Sequence, residues 1–158
     1  MRNWATRAVG ELAHRRDEIN ALNVFPVPDS DTGSNMAHTM EAAVAELDNG
    51  GDVADSLALG AVRGARGNSG MVLSQVLRGV AESTVDSVID GDVFVRSLKQ
   101  AVELVDRAIA EPVEGTVITV LKAASESAED AAAQSGATLH SIVSAAIAAA
   151  ETALERTP

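Results

Sequence analysis

Residues 19–36 read INALNVFPVPDSDTGSNM, and this stretch separates two segments whose apolar residues have helical spacing. The spacing predicts a first helix over residues 2–22. Pro26 and Pro28 each disfavour the helical conformation of the residue before them, so a loop is expected there. A second helix is expected from residue 34 to residue 47, where an Asn-Gly-Gly sequence ends it.

The rest of the chain repeats this alternation of helical segments and short breaks. Alanine is abundant, and it is the strongest helix former. No alternation of apolar and polar residues typical of a strand persists anywhere. We therefore expect a single all-α domain over residues 1–158, an antiparallel helical barrel or bundle. Its further helices are expected over residues 53–63, 71–80, 93–110 with Asp92 as the N-cap, 116–133 and 138–156.

The composition excludes several classes of protein. Hydrophobic residues make up 46% of the 158 residues, which is too many for a disordered chain. The formal net charge of -11 repels phosphate backbones and anionic lipids, so nucleic acid and membrane-surface partners are not expected. There is no cysteine, no apolar run long enough to span a membrane and no signal peptide, so a cytoplasmic protein is expected.

The loop after the first helix holds two carboxylates, Asp29 and Asp31. In an extended segment, residues two apart point the same way, so both side chains would face one small volume. Mg²⁺ in proteins is typically bound by one or two carboxylates together with substrate phosphates and water. The four residues that follow offer hydroxyls, an amide and free backbone N–H groups at a helix start, which favours anion binding. The alternative is that both aspartates only form a turn and a helix cap.

A second loop, residues 64–70, reads GARGNSG. Its three glycines allow sharp bends and a close approach of the backbone to a ligand. Asn68 and Ser69 add side-chain donors. No Lys-Ser/Thr follows, so it is not a Walker A loop. It is either part of a binding site or a plain turn between helices, and Arg66 either offsets phosphate charge or faces solvent.

Three stretches resemble one family, the dihydroxyacetone kinase L-type domain. Residues 19–36 strongly resemble the start of that domain, in the variant that forms the N-terminal part of the nucleotide-binding component of bacterial fatty acid kinases. Residues 64–75 resemble the family's second signature, and residues 111–120 (EPVEGTVITV) resemble a third. Together the three ordered motifs span about a hundred residues of the chain.

The resemblance implies a barrel of eight antiparallel helices with ATP or ADP at one mouth and two Mg²⁺ ions between carboxylates and phosphates. Asp29 and Asp31 would be catalytic residues and metal ligands, and Asn23 would replace a third carboxylate of the dihydroxyacetone kinase branch. The residues implied near the nucleotide are Thr32, Gly33, Ser34, Asn35, Asn68, Ser69 and Gly70, which would hold phosphates, and Glu114, Gly115 and Thr116.

The chain departs from the family pattern at two places. Ser30 stands where glycine is usual between the two aspartates. The family's closing segment and last helix have no counterpart before Pro158, so further domains of the same polypeptide, or a separate protein chain, are expected to complete the site.

The resemblance also implies a reaction, transfer of the γ-phosphate of ATP to a fatty acid carboxylate presented by a partner lipid-binding protein. The nucleotide-binding component of a dihydroxyacetone-type kinase and a non-catalytic nucleotide-binding scaffold remain alternatives.

Overall fold

A computed structural model describes residues 1–157 and shows an all-helical chain in that range. The predicted fold class is therefore confirmed. Seven α-helices and one 3₁₀ turn follow one another, and an isolated bridge between Val85 and Val88 is the only β-type pairing among the described residues. The helices are α1 (Arg2–Leu22), α2 (Thr32–Glu46), α3 (Val53–Gly64), α4 (Gly67–Ser83), α5 (Gly91–Ala108), α6 (Val117–Ala132) and α7 (Leu139–Leu154), with the 3₁₀ turn at Leu47–Asn49.

Neighbouring helices in the sequence pack against each other in space, and α2 also packs against α4. Three apolar clusters form the core. The first joins α1, α2, α3 and α4 around Met40, Leu57 and Leu77, each 2% exposed or less. The second cluster joins α4, α5 and α6, and the third joins α5, α6 and α7. Buried alanines such as Ala5 and Ala43 lie in the first cluster, where a methyl group lets helices approach closely. The loop that holds Asp29 and Asp31 connects α1 and α2.

Three helix starts differ from the prediction by two residues or more. Helix α2 begins at Thr32 rather than at residue 34. Helix α4 begins at Gly67 rather than at residue 71, so Asn68 and Ser69 belong to its first turn instead of a loop. The glycines there suggested a longer break, but only Gly67 has a positive φ, of 59°, among the residues of this stretch. Helix α5 is capped by Asp90, whose side chain accepts from the Val93 N–H at 2.8 Å, and Asp92 lies in the first turn.

Within residues 1–157, no helix combines the length and the apolar composition needed to cross a bilayer.

Candidate functional site

The loop between α1 and α2 is closed by one side chain, that of Asn23. Its Oδ1 accepts from the backbone N–H groups of Asp31 at 3.1 Å and Thr32 at 3.3 Å. Its Nδ2 donates to the Val27 carbonyl oxygen at 3.2 Å. Asn23 is the first residue after α1. Its bonds therefore hold the middle of the loop, at Val27, and the far end of the loop, at Asp31 and Thr32, to the end of that helix. The Phe25-Pro26 peptide bond within the loop is cis.

The backbone between the two aspartates is bent rather than extended. Ser30 has φ of 54°, in the left-handed region, and Asp31 has φ of -123° with ψ of -3°. The expectation that residues 29–31 are extended is therefore wrong, and the alternation of side chains along a strand does not apply here. Glycine adopts the left-handed conformation without steric cost, which explains why Ser30 stands out as a departure from the family pattern.

The start of α2 is held by the last turn of α1. Asn20 Oδ1 accepts from the Ser34 N–H at 3.1 Å, and Asn20 Nδ2 donates to Ser34 Oγ at 2.9 Å. A Cβ on Gly33 would overlap the Arg16 carbonyl oxygen, so the two helices touch backbone to backbone at this point. Only a glycine permits that approach.

The prediction of several free N–H groups at this helix start is wrong in part. The N–H groups of Thr32 and Ser34 donate to Asn23 and Asn20, and that of Asn35 donates to the Asp31 carbonyl oxygen at 2.8 Å. Among residues 32–35, Gly33 alone has an N–H with no acceptor within the part of the chain that the structure describes.

The carboxylates of Asp29 and Asp31 form no hydrogen bond or ion pair within residues 1–157. Asp31 stands at the N-cap position of α2, yet its side chain makes no capping bond. Asp52 and Asp90, at the same position of α3 and α5, each accept from a backbone N–H of their helix at 2.8 Å. Asp31 thus has the place of a cap, is half-buried, and makes no capping bond.

The start of α4 has the free donors that the start of α2 lacks. The N–H groups of Gly67, Asn68 and Ser69 have no acceptor among the described residues, since the first bond of this helix runs from the Gly70 N–H to the Arg66 carbonyl oxygen at 3.0 Å. The side chains of Asn68 and Ser69 also make no hydrogen bond there. Three N–H groups at the positive end of a 17-residue helix are suited to an anion.

The first two motifs meet in the structure. The side chain of Asn35 lies against Gly67, where it occupies the space that a Cβ would need. Thr39, fully buried one turn later in α2, donates to the Asn35 carbonyl oxygen at 2.7 Å and accepts from the Arg66 N–H at 3.3 Å. A Cβ on Gly70 would overlap Thr39 Oγ1. The starts of α2 and α4 are thereby fixed to each other.

The polar groups of the third motif, residues 111–120, form hydrogen bonds with one another. Thr116 is the N-cap of α6 and accepts from the Ile118 N–H at 3.3 Å, and Thr119 Oγ1 donates to Glu114 Oε2 at 2.7 Å. The Gly115 N–H donates to the Thr119 hydroxyl at 2.9 Å. No hydrogen bond joins this segment to the other two motifs within residues 1–157, so its place near the nucleotide stays a prediction.

The donor set fits Mg²⁺ only together with a phosphate ligand. No group of three or more His, Cys, Asp or Glu side chains within residues 1–157 is placed to hold a metal ion. Two free aspartates are nevertheless the usual protein contribution to a Mg-nucleotide site, in which phosphates and water supply the other ligands. Asn23 has its amide oxygen engaged with two N–H groups, so its predicted role as a third ligand remains without support.

Sequence reasoning missed two residues that shape this site, Asn20 and Thr39. Both lie inside helices, where their spacing reads as ordinary amphipathic pattern. Asn20 could have been noticed in the sequence. Asn is a poor helix former, yet two asparagines, Asn20 and Asn23, stand three residues apart near the end of the first helical segment. Thr39 carried none, since its bond to the Arg66 N–H joins residues 27 apart in the chain.

Comparison with known proteins finds relatives that match most of this chain. Protein YloV of Bacillus subtilis (strain 168) is 37% identical over 153 residues, which are 93% of this chain and 28% of that protein. Uncharacterized protein SAB1090 of Staphylococcus aureus (strain bovine RF122 / ET3-1) is 39% identical over 127 residues, 77% of this chain and 23% of that protein. The chain thus spans about a quarter of the length of these relatives.

The family model described as "DAK2 domain" matches residues 26–158. This range contains both aspartates, the start of α4 and the third motif. The resemblance drawn from the three motifs is therefore confirmed, and the chain belongs to the DAK2 domain family, a group of nucleotide-binding domains related to dihydroxyacetone kinase.

Proposed function

We propose that the chain is the Mg-nucleotide-binding domain of a kinase that transfers the γ-phosphate of ATP to a fatty acid carboxylate presented by a partner lipid-binding protein. The observation that carries the nucleotide part is the pairing of two helix starts. One offers two carboxylates without partners, and the other offers three backbone N–H groups without acceptors among the described residues. Contacts of Asn35 and Thr39 hold the two starts together.

Each helix start contributes a different part of the site. The N–H groups of Gly67, Asn68 and Ser69 would bind phosphate oxygens, with the Ser69 hydroxyl and the Asn68 amide as further donors. Asp29 and Asp31 would hold Mg²⁺, which when bound supplies positive charge that neutralises the phosphates. Arg66 is exposed and forms no ion pair within residues 1–157, so it is available to offset phosphate charge in a protein with net charge -11.

The reaction needs no general base in this domain. A carboxylate oxygen of the acceptor, already ionised at neutral pH, would attack the γ-phosphorus and form the acyl phosphate bond. The bond from the γ-phosphorus to the bridging oxygen breaks, and ADP leaves with that electron pair. Catalysis of such a transfer consists largely of positioning and charge neutralisation, which are the two things that these helix starts supply.

The acceptor part of the proposal rests on the resemblance of residues 23–28 to the fatty acid branch of the family. One structural feature agrees with it. Leu22, Val24, Phe25 and Val27, next to the aspartates, are exposed by between 41% and 71%. Clustered apolar side chains of this kind are typical of a surface that a partner covers.

Calorimetry of ADP binding tests the nucleotide part directly. Asp31→Asn is expected to lower the affinity for ADP in the presence of Mg²⁺ by about a hundredfold, because a charged metal ligand is lost. The control Asp90→Asn removes the same charge at a helix cap that asparagine also serves well, so its affinity should match that of the original chain. Unchanged affinity in Asp31→Asn would contradict the metal assignment.

A transfer assay tests the acceptor. The full polypeptide is incubated with ATP, Mg²⁺ and either a fatty acid bound to a lipid-binding protein or dihydroxyacetone, and acyl phosphate is trapped with hydroxylamine. Acyl hydroxamate with the fatty acid alone supports the proposal. Phosphorylation of dihydroxyacetone would favour the other branch, and nucleotide binding without transfer to either would favour a scaffold role.

A further inference from the structure

The end of α1 presents two asparagines to the start of α2. Asn20 lies in the last turn of the helix, and Asn23 is the residue directly after it. Asn20 bonds the N–H and the hydroxyl of Ser34 at 3.1 and 2.9 Å, and Asn23 bonds the N–H groups of Asp31 and Thr32 at 3.1 and 3.3 Å. Three N–H groups at the start of α2 are thus satisfied by side chains at the end of another helix.

This arrangement matters for Asp31, which occupies the N-cap position of α2. An aspartate there ordinarily accepts from the second or third N–H of its helix. Asp52 and Asp90 do so at the starts of α3 and α5. In α2 the third N–H, that of Ser34, already donates to Asn20, and the Asp31 carboxylate makes no bond to its own helix.

We propose that Asn20 and Asn23 are positioning residues that keep the Asp31 carboxylate available to the metal of a Mg-nucleotide complex. Asn20 takes the third N–H of α2 in place of Asp31, and Asn23 fixes the backbone at Asp31 and Thr32. This inference rests on the proposed function. It gives Asn23 a different role from that of a metal ligand, because the acceptor capacity of its Oδ1, two lone pairs, is used by two N–H groups.

Amide hydrogen exchange followed by NMR tests the capping independently of nucleotide. In the original chain the N–H groups of Asp31 and Thr32 should exchange more slowly than that of Gly33, which has no acceptor among the described residues. Asn23→Ala should remove this protection from Asp31 and Thr32 and leave that of Ser34 in place. Persistent protection in Asn23→Ala would overturn the proposal.

The same measurement with Mg-ADP bound separates positioning from metal ligation. A positioning Asn23 keeps its bonds, so the N–H groups of Asp31 and Thr32 stay protected in the complex. If Asn23 turned its oxygen to the metal, both N–H groups would lose protection on binding, and the proposal would be overturned.

Calorimetry supplies the functional test. Asn20→Ala and Asn23→Ala are each expected to weaken Mg-ADP binding about tenfold, the effect of losing one or two hydrogen bonds that place a charged ligand. The matched control is Asn3→Ala, an exposed asparagine of the same helix that makes no side-chain hydrogen bond within the described residues. Circular dichroism and melting temperature show that each variant remains folded at the temperature of the titration.

The outcomes distinguish this inference from the proposed function. Lost protection together with weaker Mg-ADP binding supports the positioning role. Lost protection with unchanged affinity overturns it and leaves the proposed function intact. A full polypeptide that binds no nucleotide contradicts the proposed function, while hydrogen exchange on the same protein still decides whether the two asparagines bond the start of α2. If Asn23→Ala does not fold, Asn20→Ala and the exchange data on the Mg-ADP complex of the original chain give the same decision.

Discussion

The starts of α2 and α4 look alike in sequence and differ in the structure. Each has a serine at its third position. Ser34 of α2 follows Gly33 directly, and Ser69 of α4 stands two residues after Gly67. At α2 the N–H groups of Thr32 and Ser34 donate to Asn23 and Asn20, and the carboxylates of Asp29 and Asp31 make no bond within residues 1–157. At α4 the N–H groups are free within residues 1–157, and no carboxylate lies in the first turn.

This difference divides the work of a Mg-nucleotide site between two helices. At the start of α2 only the Gly33 N–H is left for a phosphate within residues 1–157, but this start can hold a cation through side chains that need not cap. A start with open N–H groups serves the anion. The comparison teaches that helix starts rich in Gly, Ser and Asn are not equivalent, because what packs against them decides which charge they receive.

The largest effect on stability is expected at Gly33. Gly33→Ala places a Cβ against the Arg16 carbonyl oxygen and 3.0 Å from Asn20 Oδ1, so α1 and α2 must move apart. We expect a loss of about 1–3 kcal/mol in the free energy of unfolding, which urea denaturation measures. The control Gly10→Ala adds a methyl group to an open position of α1 and should stabilise by about 0.5–1 kcal/mol. Equal effects at the two positions would contradict the close contact of α1 with α2.

The two serines provide the next test. Ser69→Ala removes a hydroxyl that has no partner within residues 1–157, so stability should hardly change while Mg-ADP affinity falls about tenfold. Ser34→Ala removes the acceptor of the Asn20 Nδ2 bond and should lower stability by about 0.5–1.5 kcal/mol, with a smaller change in affinity. Calorimetry and thermal unfolding of both variants measure the two quantities. The reverse pattern would place the phosphates at α2.

A smaller effect is expected from Ser30→Gly. Ser30 has φ of 54°, which costs an L-residue with a Cβ more than it costs glycine. Ser30→Gly should raise the free energy of unfolding by about 0.5–1 kcal/mol. This gain is smaller than the backbone strain that is relieved, because glycine also increases the conformational freedom of the unfolded chain. Thermal unfolding measures the gain. A loss of stability would show that the Ser30 side chain contributes more than its backbone strain costs.

The smallest effect concerns Asp52, the capping aspartate that contrasts with Asp31. The Ser87 hydroxyl, at 2.7 Å, and backbone N–H groups of α3 hold the pKa of this carboxyl below its usual 3.8. A lowered pKa contributes stability above the usual value, and that contribution is lost as the pH falls through the folded-state pKa. Ser87→Ala should therefore lower the melting temperature slightly at pH 7 and leave it unchanged in strong acid. A difference that persists in strong acid would rule out the carboxylate as its source.

Most of the fold could be predicted from the sequence because its signals are local. The apolar spacing placed α1 at residues 2–22, the observed bounds, and the Asn-Gly-Gly sequence ended α2 within a few residues. Helix starts were less certain where several capping residues compete. Asp92 is the N-cap that the sequence predicts for α5, and only the geometry shows that the Asp90 carboxylate reaches the N–H three residues on.

The candidate site was predictable in its residues but not in its division of roles. Asp29, Asp31, Asn68 and Ser69 stood out because a packed bundle does not need them in loops. Which N–H groups are free depends on Asn20 in the neighbouring helix and on Asn23 directly after it, and periodicity does not report such tertiary contacts. The bend at Ser30 was missed for a related reason, since serine seldom has a positive φ and the closed loop imposes it.

The most direct test of a site divided between two helix starts is an NMR titration of backbone amide signals with ADP, with and without Mg²⁺. We predict that Mg²⁺ is needed for tight binding and that the signals of Gly67, Asn68 and Ser69 then shift most, while those of Thr32 and Ser34 shift less because their N–H groups stay bonded to α1. Large shifts at Thr32 and Ser34 with none at the start of α4, or binding that is indifferent to Mg²⁺, would contradict it.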